Sequence, residues 1–272
     1  MGHRTDATGR GGPALEFTIT MRPTAAIILA AAFLTGCDEP MTCPRAIFLD
    51  GAGWYSGDGP VRDGLREGGF EGPVDRFGWQ SLLGPLHDHI VADEGHPDTR
   101  KLAERITRLR EADPNGQIVL IGYSAGTSIL VGALEKLPEN VEVDIVVLLA
   151  PSVSSRHDLT RALRHVRGRL YATSSPHDAL LRGAAPAGLE RGRPAGLVGI
   201  QLPQPFTPAA ALYRQVISLP WRPEYAMYGW DGGHMTVTRA DFIRTVIAPR
   251  IVGAGPHPLD RPLARMGGRN DG

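Results

Sequence analysis

The chain has 272 residues and carries 29 basic and 29 acidic side chains, so its formal net charge is zero. This length predicts one domain or at most two, and the balanced charge argues against the basic field that holds nucleic acid. Hydrophobic residues make up 42% of the chain, which is enough for a core, while 34 glycines and 23 prolines predict many loops.

The N-terminal segment has the pattern of an export signal. Residues 1–20 are polar, and MRPTAAIILAAAFLTGC follows, with an apolar run from Ala25 to Leu34. This run is too short to span a bilayer and is typical of a secretory signal peptide. Leu34 to Cys37 then resemble the lipobox of bacterial lipoproteins. That resemblance implies lipidation of Cys37, export to the cell envelope and a membrane anchor. An ordinary signal peptide and an N-terminal helix are alternatives, and Met21 is a second candidate start.

The cysteines argue against a zinc site. The chain has two, Cys37 and Cys43. If Cys37 carries lipid, Cys43 has no disulfide partner in the chain, and otherwise a small Cys37–Cys43 loop is an alternative in an oxidising compartment. Two cysteines without histidines at ligand spacing do not make a zinc site, so no metal is predicted.

Apolar runs alternate with amphipathic segments over residues 45–252. The clearest helix is DTRKLAERITRLREADPNG, where Leu102, Ile106 and Leu109 recur at helical spacing and Asp98 is the predicted cap. Strands are predicted at RAIFLD, PVDRFGWQ, QIVLIGYS, VEVDIVVLLAPS, GRLYATSSPHD, GLVGIQL and EYAMYGW. Further helices are predicted at DGLREGGFEG, AGTSILVGALEKL, SSRHDLTRALRHV, TPAAALYRQVISL and TRADFIRTVIAPRIV.

This alternation predicts an α/β fold with a mainly parallel sheet and helices on both faces. The predicted parts are a leader and signal peptide (1–36), a linker (37–44), one domain (45–252) and a disordered tail (253–272). Active sites in such sheets lie at the carboxyl ends of strands. The polar clusters that directly follow predicted strands are Asp50 to Gly57, Ser124, Ser152 to Asp158, Asp178, and Asp231 to His234.

One of these clusters carries a motif. Gly122-Tyr123-Ser124-Ala125-Gly126 matches G-x-S-x-G between a predicted strand and a predicted helix. In that context the serine lies in a tight, strained turn that raises its hydroxyl above the sheet edge, and only small residues fit two positions away. The positive end of the following helix favours negative charge there. We therefore interpret Ser124 as a nucleophile rather than a turn serine.

With this motif, residues 45–252 resemble the α/β-hydrolase superfamily, whose triad follows in the order nucleophile, acid, base. The resemblance implies Ser124 as nucleophile, Asp178 in SPHD as acid, and His234 in YGWDGGHM as base. A helix cap is the alternative role for Asp178, and a surface loop residue is the alternative for His234. Asp158 and Asp231 are rival acids.

The resemblance also implies an oxyanion hole formed by the backbone N–H of Ala125 and one from the loop LDGAGWYSG, at Ala52 or Gly53. The superfamily often has His-Gly in this loop, whereas this chain has Asp-Gly, so the second donor stays open between those two. The candidates for the substrate pocket are aromatic, and packing under the loop is their alternative role: Trp54, Tyr55 and Tyr123.

These residues imply a serine esterase or lipase-like enzyme that cleaves an ester or amide of a small molecule or lipid through an acyl-enzyme. No metal or organic cofactor is implied, and the oligomeric state is not indicated. The alternatives are a non-catalytic binding lipoprotein with the same fold, and an acyltransferase that uses the same triad.

A dinucleotide-binding loop is a further alternative, because FLDGAGWYSG places glycines after a strand and Asp75 follows at the distance of a ribose-binding acid. In that class the glycines open a helix. Gly57, Gly59 and Pro60 are expected to break the first helical turn here, which argues against this alternative.

Overall fold

The computed structural model describes residues 44–53, 55–79, 96–184, 192–203 and 208–253, together with residues 257, 260 and 262. The predicted signal peptide, Cys37, Cys43 and Trp54 lie outside the described residues, so lipidation and export stay predictions. No helix within the described ranges is long and apolar enough to cross a membrane.

Six strands form one sheet in the order β2-β1-β3-β4-β5-β6, and all five strand pairs are parallel. The predicted parallel sheet is therefore confirmed. The carboxyl ends of the strands share one edge of the sheet, and every predicted polar cluster except Asp231 to His234 follows one of these ends. The strands are β1 (Arg45–Leu49), β2 (Val74–Arg76), β3 (Ile118–Tyr123), β4 (Val143–Leu149), β5 (Val166–Ser174) and β6 (Val216–Pro220).

Helices connect these strands. The α-helices are α1 (Asp58–Glu67), α2 (Pro97–Ala112), α3 (Gly126–Leu134), α4 (Thr160–Leu163), α5 (Ala179–Ala184), α6 (Ala195–Val198), α7 (Ala240–Phe242) and α8 (Ala248–Val252). One π-helical segment, Ile243–Ile247, joins α7 to α8. The 3-10 helices cover Pro208–Gln215, Pro223–Tyr228 and Thr236–Thr238.

Both faces of the sheet are covered, as predicted. Successive side chains of a strand point to opposite faces, so each strand contributes to two separate cores. Ile47 and Leu120 belong to the core that includes α2 and α3. Phe48 and Ile121 belong to the other core, which includes α1 and the C-terminal helices. Strands buried on both sides explain the continuous apolar runs of the sequence.

Three predicted elements between β5 and the C-terminal helices are wrong in type. GLVGIQL contains α6 instead of a strand, TPAAALYRQVISL divides into a 3-10 helix and β6, and EYAMYGW lies mostly in a 3-10 helix. Tertiary contacts explain the two elements that were predicted as strands, GLVGIQL and EYAMYGW. The backbone of Gly196 bonds to Pro151 and Ser175 in loops, and Tyr225 stacks on Trp230 with ring centroids 5.6 Å apart.

Three helices also differ from the prediction in where they begin or how far they extend. Helix α1 begins at Asp58 and contains Gly59 and Pro60, which were expected to break its first turn. Proline is tolerated there because the first N–H groups of a helix have no intrahelical partner. Helix α2 is capped by His96, whose Nδ1 accepts the N–H of Asp98 at 3.2 Å, so Asp98 is not the cap. The helix predicted at SSRHDLTRALRHV is reduced to α4.

Part of the predicted disordered tail makes defined contacts. Asp260 has a side chain only 2% exposed, and its Oδ1 lies 2.9 Å from the buried guanidinium of Arg250 in α8. Burial, with a smaller contribution from the carboxylate of Asp260, raises the pKa of Tyr171 in β5 to about 12. Pro262 forms an antiparallel bridge with Ile217 of the edge strand β6. These tail residues therefore pack against the domain.

We predict that Asp260→Ala destabilises the domain, because it leaves the guanidinium of Arg250 buried without its carboxylate. The free energy of unfolding, measured by urea titration, should fall by about 3 to 5 kcal/mol. The matched control is Asp241→Ala, which removes an exposed partner of Arg244 and should cost less than about 1 kcal/mol. Equal small losses in the two variants would show that the tail does not stabilise the domain.

Candidate active site

Ser124 ends β3 in a strained turn. Its φ is 51°, a left-handed conformation that residues with side chains rarely adopt. The N–H of Ser124 donates to the carbonyl of Leu149 at the end of β4, at 2.9 Å. Its own carbonyl accepts bonds from Thr127 N at 3.0 Å, Thr127 Oγ1 at 2.5 Å and Ser152 Oγ at 3.1 Å. These bonds hold a turn that would otherwise be unfavourable.

The two glycines of the motif meet different neighbours. A side-chain carbon at Gly126 would lie 2.7 Å from the carbonyl oxygen of Leu49 and closer still to that of Asp50, so β1 excludes any side chain there. A carbon at Gly122 would lie 3.0 Å from Cα of Thr127 and 3.2 Å from a methyl group of Leu130. The motif therefore needs glycine more strictly after the serine than before it.

Ser124, His234 and Asp178 are brought together at the carboxyl edge of the sheet. Ser124 Oγ lies 2.8 Å from His234 Nε2, and His234 Nδ1 lies 2.6 Å from Asp178 Oδ2. All three residues are buried, and Asp178 is only 1% exposed. A carboxylate can only accept hydrogen bonds, so Nδ1 carries the proton and Nε2 accepts from the serine hydroxyl.

The carboxylate of Asp178 has two functions in the structure. Its Oδ1 accepts the N–H of Leu181 at 2.9 Å and caps α5, while its Oδ2 holds the imidazole of His234. The helix cap that was considered as an alternative is thus present together with the contact to His234. Because α5 fixes the carboxylate, the imidazole is held by a helix end rather than by a loop alone.

The two rival acids bond elsewhere. A hydrogen bond from the side chain of Thr160 holds the pKa of Asp158 below its ordinary value, and the hydroxyl of Tyr213 lies 3.3 Å from the same carboxylate. Asp231 accepts from Thr236 Oγ1 at 2.5 Å and from Gly233 N at 2.8 Å. The side-chain bond from Thr236 lowers the pKa of Asp231. Asp231 therefore shapes the loop that carries His234.

The loop of His234 folds back toward the strand ends. Gly232 has a φ of 95°, and a side-chain carbon there would lie 2.9 Å from Ser175 Oγ. The indole of Trp230, which is 1% exposed, donates to the carbonyl of Gly233 at 3.3 Å. The approach to Ser175 brings this loop against the end of β5, next to Asp178.

The loop after β1 (residues 51–57) surrounds the carboxylate of Asp50. Asp50 Oδ1 accepts the N–H groups of Gly51 and Gly57, each at 3.0 Å. Among the hydrogen bonds of the described residues, none is donated by the backbone N–H of Ala52, Gly53 or Ala125. These three predicted oxyanion donors are therefore not engaged in the folding of the loop and turn.

Of the two described pocket candidates, Tyr123 packs against the imidazole of His234, and Tyr55 packs against Tyr123. The ring of Tyr123 lies 5.2 Å from that of His234 and 5.9 Å from that of Tyr55. The hydroxyl of Tyr55 lies 2.7 Å from Thr238 Oγ1, which ties the β1 loop to the segment after His234. Burial raises the pKa of Tyr123 above its ordinary value, so its phenol stays neutral and packs rather than titrates. The packing role is thus observed for both rings, and the pocket role stays a prediction.

Several residues that support the site were not assigned a role from the sequence. Asp50 and Ser152 were placed in polar clusters only, and Thr127, Trp79 and Thr238 were not singled out. The indole of Trp79 donates to the carbonyl of Asp50 at 2.9 Å. The one available signal was a polar residue shortly after a buried strand, and it applied to Asp50 and Ser152. In the part of the chain that the structure describes, no group of three or more His, Cys, Asp or Glu could hold a metal ion.

Comparison with known proteins gives a likeness of fold. No family model matches the chain, and no curated protein sequence matches it. Lipase B of Aspergillus fumigatus superposes with a TM-score of 0.50 at 12% identity, over 83% of this chain and 56% of that one. The esterase domain of a Rhodothermus marinus protein has a TM-score of 0.42 at 15% identity, over 78% and 87% of the two chains.

A lipase/esterase of Lactobacillus plantarum has a TM-score of 0.40 at 15% identity, over 66% of this chain and 76% of that one. The chain thus spans just over half of the Aspergillus lipase, which is the first of these structures. With the parallel sheet of six strands and helices on both faces, the likeness to that lipase gives an α/β-hydrolase-type fold, as predicted.

We predict that the two motif glycines differ in their tolerance of a methyl group. Gly126→Ala should lower the free energy of unfolding by about 1 to 3 kcal/mol because backbone oxygens of β1 cannot move aside, whereas Gly122→Ala should cost less than about 1 kcal/mol. Gly59→Ala is the control, since a side chain there meets nothing within 4 Å. Equal losses at residues 122 and 126 in urea titrations would contradict the steric account of the turn.

Proposed function

We propose that this protein is a serine hydrolase that cleaves carboxylic esters through an acyl-enzyme. The observation that carries the proposal is the continuous hydrogen-bonded chain from Ser124 Oγ to His234 and on to Asp178, with distances of 2.8 and 2.6 Å. A serine hydroxyl is a weak nucleophile at neutral pH and needs a base within hydrogen-bond reach. The likeness to a lipase supports the fold, and the triad supports the chemistry.

In this mechanism His234 Nε2 takes the proton of Ser124 as Oγ attacks the ester carbonyl. Asp178 keeps the proton on Nδ1 and stabilises the imidazolium that forms. His234 then gives its proton to the leaving alcohol, and an acyl-serine remains. In the second half, His234 takes a proton from the water that attacks the acyl group. It then returns this proton to Ser124 Oγ as the acyl–Oγ bond breaks and the acid is released. The strained turn keeps the hydroxyl above the sheet edge through both halves.

The negative charge that develops on the carbonyl oxygen needs preorganised donors. Ala125 follows the nucleophile at the N-terminus of α3, which is the position of an oxyanion donor in a nucleophile elbow. The second donor is assigned to the N–H of Ala52 or Gly53. Gly51 and Gly57 are poor candidates, because their N–H groups already bond to Asp50.

One test of the proposed function concerns the nucleophile. The full-length wild-type protein should be labelled by a fluorophosphonate probe, which reacts with activated serines, and Ser124→Ala should not be labelled. Ser128→Ala is the matched control. Ser128 lies one helical turn after Ser124, and its hydroxyl lies 3.2 Å from Ser152 Oγ. This variant should still be labelled.

Labelling of Ser124→Ala at the wild-type level would refute the proposal. Absence of labelling in the wild type would favour a non-catalytic binding protein. A labelled protein could also fail to turn over short-chain p-nitrophenyl esters in water and turn them over only after an alcohol acceptor is added. Such a protein would instead be an acyltransferase.

Another test of the proposed function separates Asp178, the proposed acid, from its rivals Asp158 and Asp231. Asp178→Asn should lower kcat for a short-chain ester by on the order of 10³- to 10⁴-fold, because the amide no longer selects the required tautomer of His234. Its amide oxygen can still cap α5, so thermal unfolding should change little. Asp231→Asn and Asp158→Asn should each stay within a few-fold of the wild type. A loss in either of them as large as that in Asp178→Asn would overturn the assignment.

A further inference from the structure

The carboxylate of Asp50 is built into the inside of the β1 loop. Asp50 is 1% exposed. Its Oδ1 accepts from the N–H of Gly51 and the N–H of Gly57 at 3.0 Å each, and its Oδ2 accepts from Ser56 Oγ at 2.7 Å. One side chain therefore bonds to the first and the last residue of the loop. Buried carboxylates are retained only where such partners compensate for desolvation.

The residue that holds the loop is itself fixed to the catalytic edge. The carbonyl of Asp50 accepts the indole N–H of Trp79 at 2.9 Å, and the guanidinium of Arg76 lies 3.7 Å from Asp50 Oδ2. The backbone of Asp50 also lies against Gly126 in the turn that follows the nucleophile. The loop is thus positioned relative to Ser124 through Asp50 rather than through a flexible connection.

We propose that Asp50 is a positioning residue for the second oxyanion donor. The inference depends on the proposed function, since an oxyanion forms only if Ser124 attacks a carbonyl. By taking the N–H groups of Gly51 and Gly57, Asp50 closes the loop and leaves the N–H groups of Ala52 and Gly53 for the substrate. Oxyanion donors lower the barrier only when they are held in place before the reaction.

Hydrogen bonding and charge make different predictions for Asp50. A buried negative charge near the carbonyl oxygen would oppose a developing oxyanion, so its benefit lies in the bonds that it accepts. An asparagine keeps those bonds, because its amide oxygen can accept both N–H groups and its NH₂ can donate to Ser56 Oγ. An alanine keeps none of them. The two substitutions therefore separate the geometry of the loop from its charge.

The test is the kcat of full-length variants on a short-chain p-nitrophenyl ester. Asp50→Ala should lower kcat by about 100-fold, while KM stays within about twofold, because the loss falls on the transition state. Asp50→Asn should stay within about fivefold of the wild type. The acid limb of the pH profile of kcat/KM should not move, since the contacts of His234 are unchanged.

The matched control is Asp144→Ala. Asp144 also accepts a backbone N–H, from Ile118 at 2.8 Å, and pairs with Arg110 at 2.9 Å. It lies at the amino end of the sheet, so its loss should lower stability without lowering kcat. If Asp50→Ala does not fold, Asp50→Ser takes its place, because a hydroxyl can accept only part of these bonds. The kcat of this variant should lie between that of the wild type and a value 100-fold lower, which is about the loss expected for Asp50→Ala.

Unchanged kcat in Asp50→Ala, or equal losses in the alanine and asparagine variants, would overturn the proposal. Amide hydrogen exchange gives a readout that needs no turnover. The N–H groups of Gly51 and Gly57 should exchange at least about tenfold faster in Asp50→Ala than in the wild type. Unchanged exchange would refute the positioning role. By contrast, a wild-type protein that the fluorophosphonate probe does not label would refute the proposed function, so the two failures are distinguishable.

Discussion

The turn at Ser124 is the constraint on which the candidate active site depends. Its φ of 51° is stable only because surrounding contacts enforce it. The N–H of Ser124 bonds to Leu149 at the end of β4, and Gly126 lies against Leu49 at the end of β1. The turn therefore requires β1, β3 and β4 to be paired. The position of the hydroxyl is a product of the sheet and not of a five-residue motif alone.

His234 and Asp178 reach this hydroxyl through the topology of the parallel sheet. His234 is 110 residues from Ser124 and 56 residues from Asp178 along the chain. They meet because parallel strands end at one edge, where each loop starts from a fixed point. The cap that Asp178 forms on α5 removes the remaining freedom of the carboxylate, since its second oxygen is then aimed at the imidazole. The same side chain therefore caps α5 and orients the imidazole of His234.

Strands β3 and β4 could be predicted because strands buried on both faces are continuous apolar runs, and the glycines beside Ser124 have a steric cause within the chain. The short elements after β5 could not, because tertiary contacts decide them. The aromatic residues of EYAMYGW are as typical of strands as of the 3-10 turn in which Tyr225 packs. Nothing local distinguishes Asp178 from Asp158 or Asp231 either. That choice follows from where β5 ends relative to the imidazole.

The loop after β1 shows why a pattern of glycines does not by itself indicate a ligand. Phosphate-binding loops direct free backbone N–H groups toward an external anion. In this chain the carboxylate of Asp50 lies inside the loop and accepts the N–H groups of Gly51 and Gly57. The anion is thus part of the protein, and a phosphate at the same place would be repelled by it. In the proposed function, the N–H groups of Ala52 and Gly53 are the ones left for an oxyanion outside the loop.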